Sequence, residues 1–210
     1  MPKRLFDLCI AAFGLLLLAP VLLAVALWVV WDSPGPALFR QQRVGRAGRL
    51  FRIYKFRTMH SRAEAAGPAI TIGADARITR AGHWLRRTKA DELPQLFNVL
   101  RGDMSLVGPR PEVPHYVALY PDTVRDLVLS VRPGITDRAS IEFRDESTLL
   151  SHSKDPERTY VEQILPIKLR YAAEYARSHP LWTDVKIIAM TARALWSDRP
   201  AKGMAPEDSP

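Results

Sequence analysis

Residues 91–111 read DELPQLFNVLRGDMSLVGPRP, and they carry the strongest local signals in the chain. Two adjacent carboxylates, Asp91 and Glu92, open the stretch, and apolar residues follow at helical spacing. Gly102 stands where helices commonly end, so the pattern predicts a helix over residues 91–100. Asp91 would then lie at the start of this helix, where free backbone N–H groups and the helix dipole favour an anion.

Cations flank the two carboxylates on both sides. Arg86, Arg87 and Lys89 precede them, and Arg110 follows the helix between two prolines that restrict its backbone. Such cations can offset the charge of a phosphoryl group, and carboxylates can hold Mg²⁺ together with substrate phosphates. An aspartate such as Asp91 can also act as a nucleophile. Adjacent acids at a helix start also occur simply because they compensate the dipole, but the neighbouring arginines favour phosphate chemistry.

The N-terminal segment favours association with a membrane. Residues 8–31 contain no charged side chain, and about 20 apolar residues suffice to cross a bilayer as a helix. Pro20 lies in the middle of the segment, where it removes a backbone hydrogen bond. Positive charge precedes the segment at Lys3 and Arg4 and also follows it, which favours two cytoplasmic ends. We therefore expect a re-entrant helix broken at Pro20, with a straight, kinked span as the alternative.

Charge indicates anionic partners without choosing among them. The 210 residues carry 30 basic and 22 acidic side chains, a net charge of +8. Every charge in residues 34–63 is positive, which favours contact with anionic lipid of the inner leaflet over a merely solvated face. Nucleic-acid binding is supported only by the pI of about 9.9, because no zinc-binding pattern or RNA-binding signature is present. We expect no nucleic-acid partner.

The remaining pattern predicts a helix-rich α+β fold. Glycines between residues 37–44 and 50–59 predict a β-hairpin. We divide the chain into a membrane anchor (residues 1–33), a catalytic domain (34–196) and a disordered tail (197–210). A loop is predicted over residues 63–76. Helices are predicted over residues 77–88, over two stretches before residue 130, over 159–177 with a kink at Pro166, and over 181–196. The apolar face of the last helix is typical of packing in the core, but Trp182 and Trp196 at its ends would also fit a helix on the membrane surface.

Several motifs together resemble the bacterial sugar transferases, and more narrowly the small monotopic phosphoglycosyl transferases that begin glycan assembly on undecaprenyl phosphate. They occur in the order typical of that family and extend over most of the chain. The matching stretches are residues 3–7 (KRLFD), 42–45 (QRVG), 51–59 (FRIYKFRTM), 91–100 (DELPQLFNVL), 108–111 (GPRP) and 132–136 (RPGIT).

The resemblance implies that a sugar 1-phosphate passes from a UDP-sugar to a polyprenyl phosphate, with release of UMP, through a phosphosugar-enzyme intermediate. It implies Asp91 as the nucleophile and Glu92 as its partner, both near Mg²⁺, with Arg86 and Arg110 as phosphate-binding residues. It also implies the re-entrant helix broken at Pro20 and a location on the cytoplasmic face of the bacterial inner membrane.

Three questions stay open at this stage. Residues 137–145 read DRASIEFRD where many family members read GWAQ and a Gly-Arg pair, so the donor sugar and the pathway are not determined. Asp184 matches a recurrent family aspartate, although a surface acid beside Lys186 is the simpler interpretation. A direct transfer in a ternary complex, or a non-catalytic membrane-surface module, would fit much of the same pattern, and the oligomeric state is not determined by the sequence.

Overall fold

The computed structural model describes residues 2–61, 73 and 75–196, and it shows the helix-rich α+β fold expected from the sequence. A 3₁₀ turn covers Arg46–Gly48, another covers Ala90–Glu92, and a π-helical turn covers Tyr160–Ile164. The strands are β1 (Leu38–Val44), β2 (Leu50–Phe56), β3 (Ser105–Val107) and β4 (Gly134–Thr136). The α-helices are α1 (Pro2–Asp32), α2 (Arg80–Thr88), α3 (Gln95–Arg101), α4 (Pro114–Val117), α5 (Asp122–Leu129), α6 (Arg138–Glu142), α7 (Glu146–Ser151), α8 (Pro156–Thr159), α9 (Leu165–Arg177) and α10 (Leu181–Trp196).

Several predicted elements are present, with shifted ends where a local bond decides the boundary. The hairpin is confirmed, and α10 has the predicted bounds. Helix α2 begins later than predicted because the side chain of Thr79 caps it, accepting a hydrogen bond from the backbone N–H of Gly82 at 3.0 Å. The predicted loop over residues 63–76 lies mostly outside the described residues, and the predicted tail over residues 197–210 lies wholly outside them.

Helix α1 is long, apolar and uninterrupted. Within the described residues it is the one helix long and apolar enough to cross a membrane. The expected division into two helices at Pro20 is wrong, because α1 continues through this residue. A proline removes only the one hydrogen bond that its own backbone N–H would donate, so the helical hydrogen bonds of the residues before and after it can still form.

Both ends of α1 are bound to the rest of the protein. Near the N-terminus, Asp7 is buried and accepts hydrogen bonds from the Ser105 hydroxyl at 2.8 Å and the Leu106 backbone N–H at 3.2 Å. At the C-terminus, Asp32 accepts a hydrogen bond from the backbone N–H of Ala81 at 3.0 Å. The middle of the helix instead exposes large apolar side chains. These are Ile10, Phe13, Leu16, Leu17, Val21, Leu23 and Leu27.

Arg57 closes the C-terminal end of α1. Its guanidinium group is buried and donates to the carbonyl oxygen of Val29 in the last turn of the helix at 3.3 Å and to that of Ser33 just after the helix at 2.8 Å. The last carbonyl groups of a helix lack partners within the helix, and a buried arginine supplies a donor to one of them here. Strand β2, which precedes Arg57, is thereby attached to the helix.

A short parallel pair of strands holds the loop that follows β3. Strand β3 pairs with β4, and the backbone N–H of Gly134 also donates to Pro109 at 3.0 Å. A Cβ atom on Gly134 would lie 2.1 Å from the backbone nitrogen of Gly108, so no larger residue fits there without movement. This close contact fixes the base of the loop at residues 108–111.

Three clusters of buried apolar residues hold these elements together. One lies between α1, β2, α3, β3 and α10 and includes Ala11, Val99 and Met104. A second joins the end of α1 to α2 through Val29 and Leu85. The largest lies among the helices from α4 to α9. The first two clusters therefore position the turn between α2 and α3.

Candidate active site

Asp91 lies in the turn between α2 and α3. The expected α-helix from Asp91 is corrected to a 3₁₀ turn at Ala90–Glu92, and α3 begins at Gln95. Pro94 has no N–H to complete an α-helical bond at this point. Lys89 turns the chain into the site with a left-handed backbone, at φ of 57°.

The carboxylate of Asp91 is buried and poorly solvated. The residue is 7% exposed, and its Oδ1 atom has no hydrogen-bond partner among the described residues. Burial raises the pKa of Asp91, and the positive charge of Lys55 acts against this rise. A carboxylate with few hydrogen bonds keeps its electron density available, so this group fits the role of a nucleophile.

Glu92 has the opposite environment. Arg110 binds it with two bonds, from Nη2 to Oε1 at 2.5 Å and from Nη1 to Oε2 at 3.1 Å, and Lys55 Nζ lies 2.9 Å from Oε1. Burial alone would raise the pKa of Glu92, but Arg110 and Lys55 together hold it well below its usual value. Glu92 is therefore ionised, and its charge orients two cations beside Asp91.

Arg110 is held by its neighbours as well as by Glu92. Its backbone N–H donates to Asp137 Oδ2 at 3.0 Å, while Asp137 Oδ1 caps α6 by accepting from the Ser140 N–H at 2.6 Å. Glu92 also raises the pKa of Arg110. The side chain of Arg110 is thus a fixed, fully charged group with two donors facing the carboxylates.

Arg86 approaches from the last turn of α2. Its Nε donates to the Thr58 hydroxyl at 2.9 Å. Burial lowers the pKa of Arg86, and the negative charge of Asp91 acts against this. Arg86, Asp91, Glu92 and Arg110 all line one cleft of about 2290 Å³, which we call the central cleft. The structure brings these four predicted residues together, whereas Pro20 is exposed on α1 and lies away from them.

Sequence reasoning missed Lys55 and Asp137. Lys55 belongs to the basic residues of 34–63 that are predicted to contact anionic lipid, but its side chain points into the central cleft from β2. Arg43 and Arg57 of the same block are also bonded inside the protein. The lipid-facing interpretation is therefore wrong for these three residues. The period of two along β2 was the available signal, since it places Lys55 on the same face as buried Ile53.

Asp184 is not the surface acid that the sequence favoured. It is fully buried, accepting from Lys3 Nζ at 2.6 Å and from the Tyr175 hydroxyl at 2.7 Å. It does not line the central cleft. Its contacts join α10 to the start of α1, so its role is to hold the N-terminal helix in place.

The residues present offer a limited fit to Mg²⁺. Within the described ranges, no group of three or more acidic, histidine or cysteine side chains is arranged to hold a metal ion. Both oxygens of Glu92 already bind cations, whereas one carboxylate oxygen of Asp91 has no hydrogen-bond partner in the described part of the chain. Mg²⁺ commonly binds one or two carboxylates and completes its shell with water and phosphate oxygens. Asp91 therefore fits as a single protein ligand, and Glu92 does not.

The fold and the cleft define a membrane-associated protein with a carboxylate and several cations arranged for phosphate chemistry. The chain belongs to the bacterial sugar transferase family, whose sequence model matches residues 1–198.

Named relatives support this membership. The chain is 40% identical over 206 residues to the UDP-glucose:undecaprenyl-phosphate glucose-1-phosphate transferase of Caulobacter vibrioides, covering 92% of this chain and 69% of that protein. It is 37% identical over 195 residues to the UDP-N-acetylgalactosamine-undecaprenyl-phosphate N-acetylgalactosaminephosphotransferase of Aeromonas hydrophila, covering 92% and 43%. It is 37% identical over 192 residues to the Escherichia coli UDP-glucose:undecaprenyl-phosphate glucose-1-phosphate transferase, covering 90% and 39%. The chain thus spans less than half of the latter two proteins.

Proposed function

We propose that this protein is a phosphoglycosyl transferase that moves a sugar 1-phosphate from a UDP-sugar to a polyprenyl phosphate such as undecaprenyl phosphate, releasing UMP. The product would be the first lipid-linked intermediate in assembly of a bacterial glycan. The observation that carries the proposal is the buried carboxylate of Asp91, whose Oδ1 has no hydrogen-bond partner among the described residues, in a cleft lined by Lys55, Arg86 and Arg110. The reactions named for the family relatives agree with it.

The first step forms a phosphosugar-aspartate. A carboxylate oxygen of Asp91 attacks the β-phosphorus of the UDP-sugar, and the bond from this phosphorus to the oxygen bridging the two phosphates breaks. UMP departs with that electron pair. Arg86, Arg110 and Lys55 offset the negative charge on the diphosphate, which would otherwise repel the carboxylate.

The second step releases the enzyme. A phosphate oxygen of the polyprenyl phosphate attacks the same phosphorus, and the bond to Asp91 breaks, which restores the carboxylate. This nucleophile is already an anion, so no base is needed to activate it. Glu92 serves throughout as the counter-ion that keeps Arg110 and Lys55 in place.

Mg²⁺ is part of the proposal. Asp91 and the phosphate oxygens of the donor would hold it, and it would supply positive charge that offsets the negative charge developing on the departing UMP. The cations from the protein orient the donor whether or not the ion is bound. Loss of donor binding on chelation would support the metal site, and unchanged binding would contradict it.

We also propose that α1 enters the inner leaflet and returns to the cytoplasmic face of the bacterial inner membrane. Its two ends contact the same domain through Asp7 and Asp32, so neither end lies across the bilayer from that domain. On α10, Trp182 and Trp196 are 75% and 92% exposed, which fits a helix lying at the interface.

Anionic lipid is the proposed partner of the exposed arginines. Arg40, Arg46, Arg49 and Arg52 are exposed, and no ion pair joins them to a carboxylate in the part of the chain that the structure describes. Each basic residue near an anionic surface contributes about 1 kcal/mol to binding. Binding to vesicles with and without anionic lipid would measure this.

The decisive experiment is capture of the covalent intermediate. Purified protein is mixed with a panel of UDP-sugars and Mg²⁺, without polyprenyl phosphate, and its intact mass is measured. We expect a phosphosugar adduct and UMP with at least one sugar, and no adduct with Asp91→Asn. Product formation in the wild type with intersecting initial-rate lines and no adduct would instead establish direct transfer in a ternary complex.

The topology of α1 has its own test. A cysteine is placed at Pro2 in a Cys9→Ala background, because Cys9 is exposed and would also react. Labelling from the cytoplasmic side only is expected. Labelling from the opposite side would establish a straight span.

A further inference from the structure

A second group of polar side chains lines the central cleft beyond the carboxylates. It consists of Arg43, Glu112, Glu146, Tyr160 and Lys168, which we call the second polar cluster. Arg43 Nη1 lies 3.7 Å from a Glu112 carboxylate oxygen, and the Tyr160 hydroxyl donates to the other at 2.6 Å. Lys168 Nζ lies 3.5 Å from the Tyr160 hydroxyl and pairs with Glu146. The five side chains thus form one continuous chain of contacts.

The charges of the two clusters differ. The group around Asp91 has two carboxylates against three cations, which suits a diphosphate. The second polar cluster has two carboxylates against two cations, so its charges balance. A balanced set of donors and acceptors offers little attraction to an anion, but it can form hydrogen bonds to uncharged hydroxyl and amide groups.

One rigid loop connects the two clusters. Arg110 and Glu112 lie on either side of Pro111, and their side chains bind Glu92 and Tyr160 respectively. The carbonyl oxygen of Pro111 accepts a hydrogen bond from Arg43 Nη1 at 3.1 Å. A donor held at its phosphates by Arg110 therefore has its remaining part within reach of Glu112.

A distortion in the helix before α9 supports the cluster. The backbone N–H of Leu165 donates to Tyr160, which is the π-helical pattern, and Pro166 has no N–H to continue the ordinary one. Such π-helical turns occur often at functional sites. Tyr160 is only 3% exposed, so it orients the Glu112 carboxylate from the buried side of the cluster. The side chains of Glu112 and Lys168 are 11% and 15% exposed.

We propose that the second polar cluster binds the uncharged, hydroxyl-bearing part of the UDP-sugar donor, with Glu112 and Lys168 making the contacts and Tyr160 positioning Glu112. This inference rests on the proposed function. The hydroxyl-bearing part can be the hexose or the nucleoside, since both present hydroxyl and amide groups. In either case these residues set the donor specificity.

The test compares Glu112→Gln and Lys168→Met with wild type and with Lys154→Met, an exposed lysine that does not line the cleft. KM and kcat are measured for each UDP-sugar, and the inhibition constant is measured for UMP. Loss of a hydrogen bond to a charged group is expected to raise KM by roughly tenfold or more, with little change in kcat. Lys154→Met should match wild type. Glu112→Gln retains an acceptor for Tyr160, so its thermal unfolding is expected to stay near that of wild type.

KM for the UDP-sugars and the inhibition constant of UMP together distinguish the part of the donor that is bound. A rise in the UMP inhibition constant equal to the rise in KM would assign the cluster to the nucleoside. An unchanged constant, with an altered order of preference among UDP-sugars, would assign it to the hexose. If folded variants keep both constants within about twofold of wild type, the inference is wrong. If wild type itself turns over no UDP-sugar, the proposed function has failed instead.

Discussion

Replacement of Lys55 by methionine is the most direct test of the site electrostatics. The Lys55 Nζ atom lies 2.9 Å from Glu92 Oε1, and the two side chains are only 18% and 13% exposed. A hydrogen bond to a charged group contributes about 1.5–3 kcal/mol, and about 1.4 kcal/mol corresponds to a tenfold change. Because Lys55 also faces the proposed site of the donor phosphates, we expect kcat/KM to fall by roughly 10- to 150-fold.

The pH dependence gives the more specific readout. As the proposed nucleophile, Asp91 must be ionised to attack, so adduct formation should decline as the pH falls through its pKa. Burial raises the pKa of Asp91 and Lys55 opposes that rise, so removal of Lys55 raises the pKa further. The acid limb of the rate of adduct formation should therefore move to higher pH in Lys55→Met. In Lys55→Arg, which keeps a positive charge at this position, the decline of the rate at acid pH should return close to the pH at which it occurs in wild type.

Rates of adduct formation are measured by intact mass on rapidly quenched samples over the acid range. Lys154→Met serves as the matched control, since it removes a lysine that is exposed and outside the cleft. An acid limb in Lys55→Met that coincides with that of wild type would refute the electrostatic argument, even if the overall rate were lower.

Other substitutions test the supports of the site. Asp137→Ala removes an acceptor for the Arg110 N–H and the cap of α6, so kcat/KM should fall about tenfold and stability by about 1–2 kcal/mol, measured by initial rates and thermal unfolding. Unchanged kinetics would contradict this. Gly134→Ala places a methyl group 2.1 Å from backbone, so a marked loss of folded protein is expected on gel filtration in detergent, and normal yield would show that β3 and β4 can separate. Asp184→Asn weakens the bond to Lys3, and faster hydrogen exchange at the start of α1 is expected; unchanged exchange would exclude this role.

Local patterns predicted the elements whose signals lie close together in sequence. The glycines between β1 and β2 predicted the hairpin, and the apolar spacing of α10 predicted its bounds. Arg86, Asp91 and Glu92 converge because a single left-handed turn at Lys89 joins their elements. Their proximity is therefore a local property.

The remaining parts of the site depend on contacts between distant segments. Lys55 reaches Glu92 from 37 positions away, and Lys3 reaches Asp184 from 181 positions away. Spacing within one segment contains no signal for such pairs. In the sequence, Asp137 stands out only as the first residue of the stretch that departs from the family pattern. Its bond to the Arg110 backbone depends on the pairing of β3 with β4, which no local pattern indicates.

The arginine that closes α1 has a mechanical consequence. Arg57 binds the C-terminal end of the apolar helix and lies two residues after Lys55 of β2, a strand whose backbone at Tyr54 and Arg52 is hydrogen-bonded to Asn98. We expect a change in bilayer thickness that shifts the proposed membrane helix to act through Arg57 on the Lys55 ammonium group beside Glu92. Turnover should then vary with acyl-chain length in vesicles of constant headgroup composition.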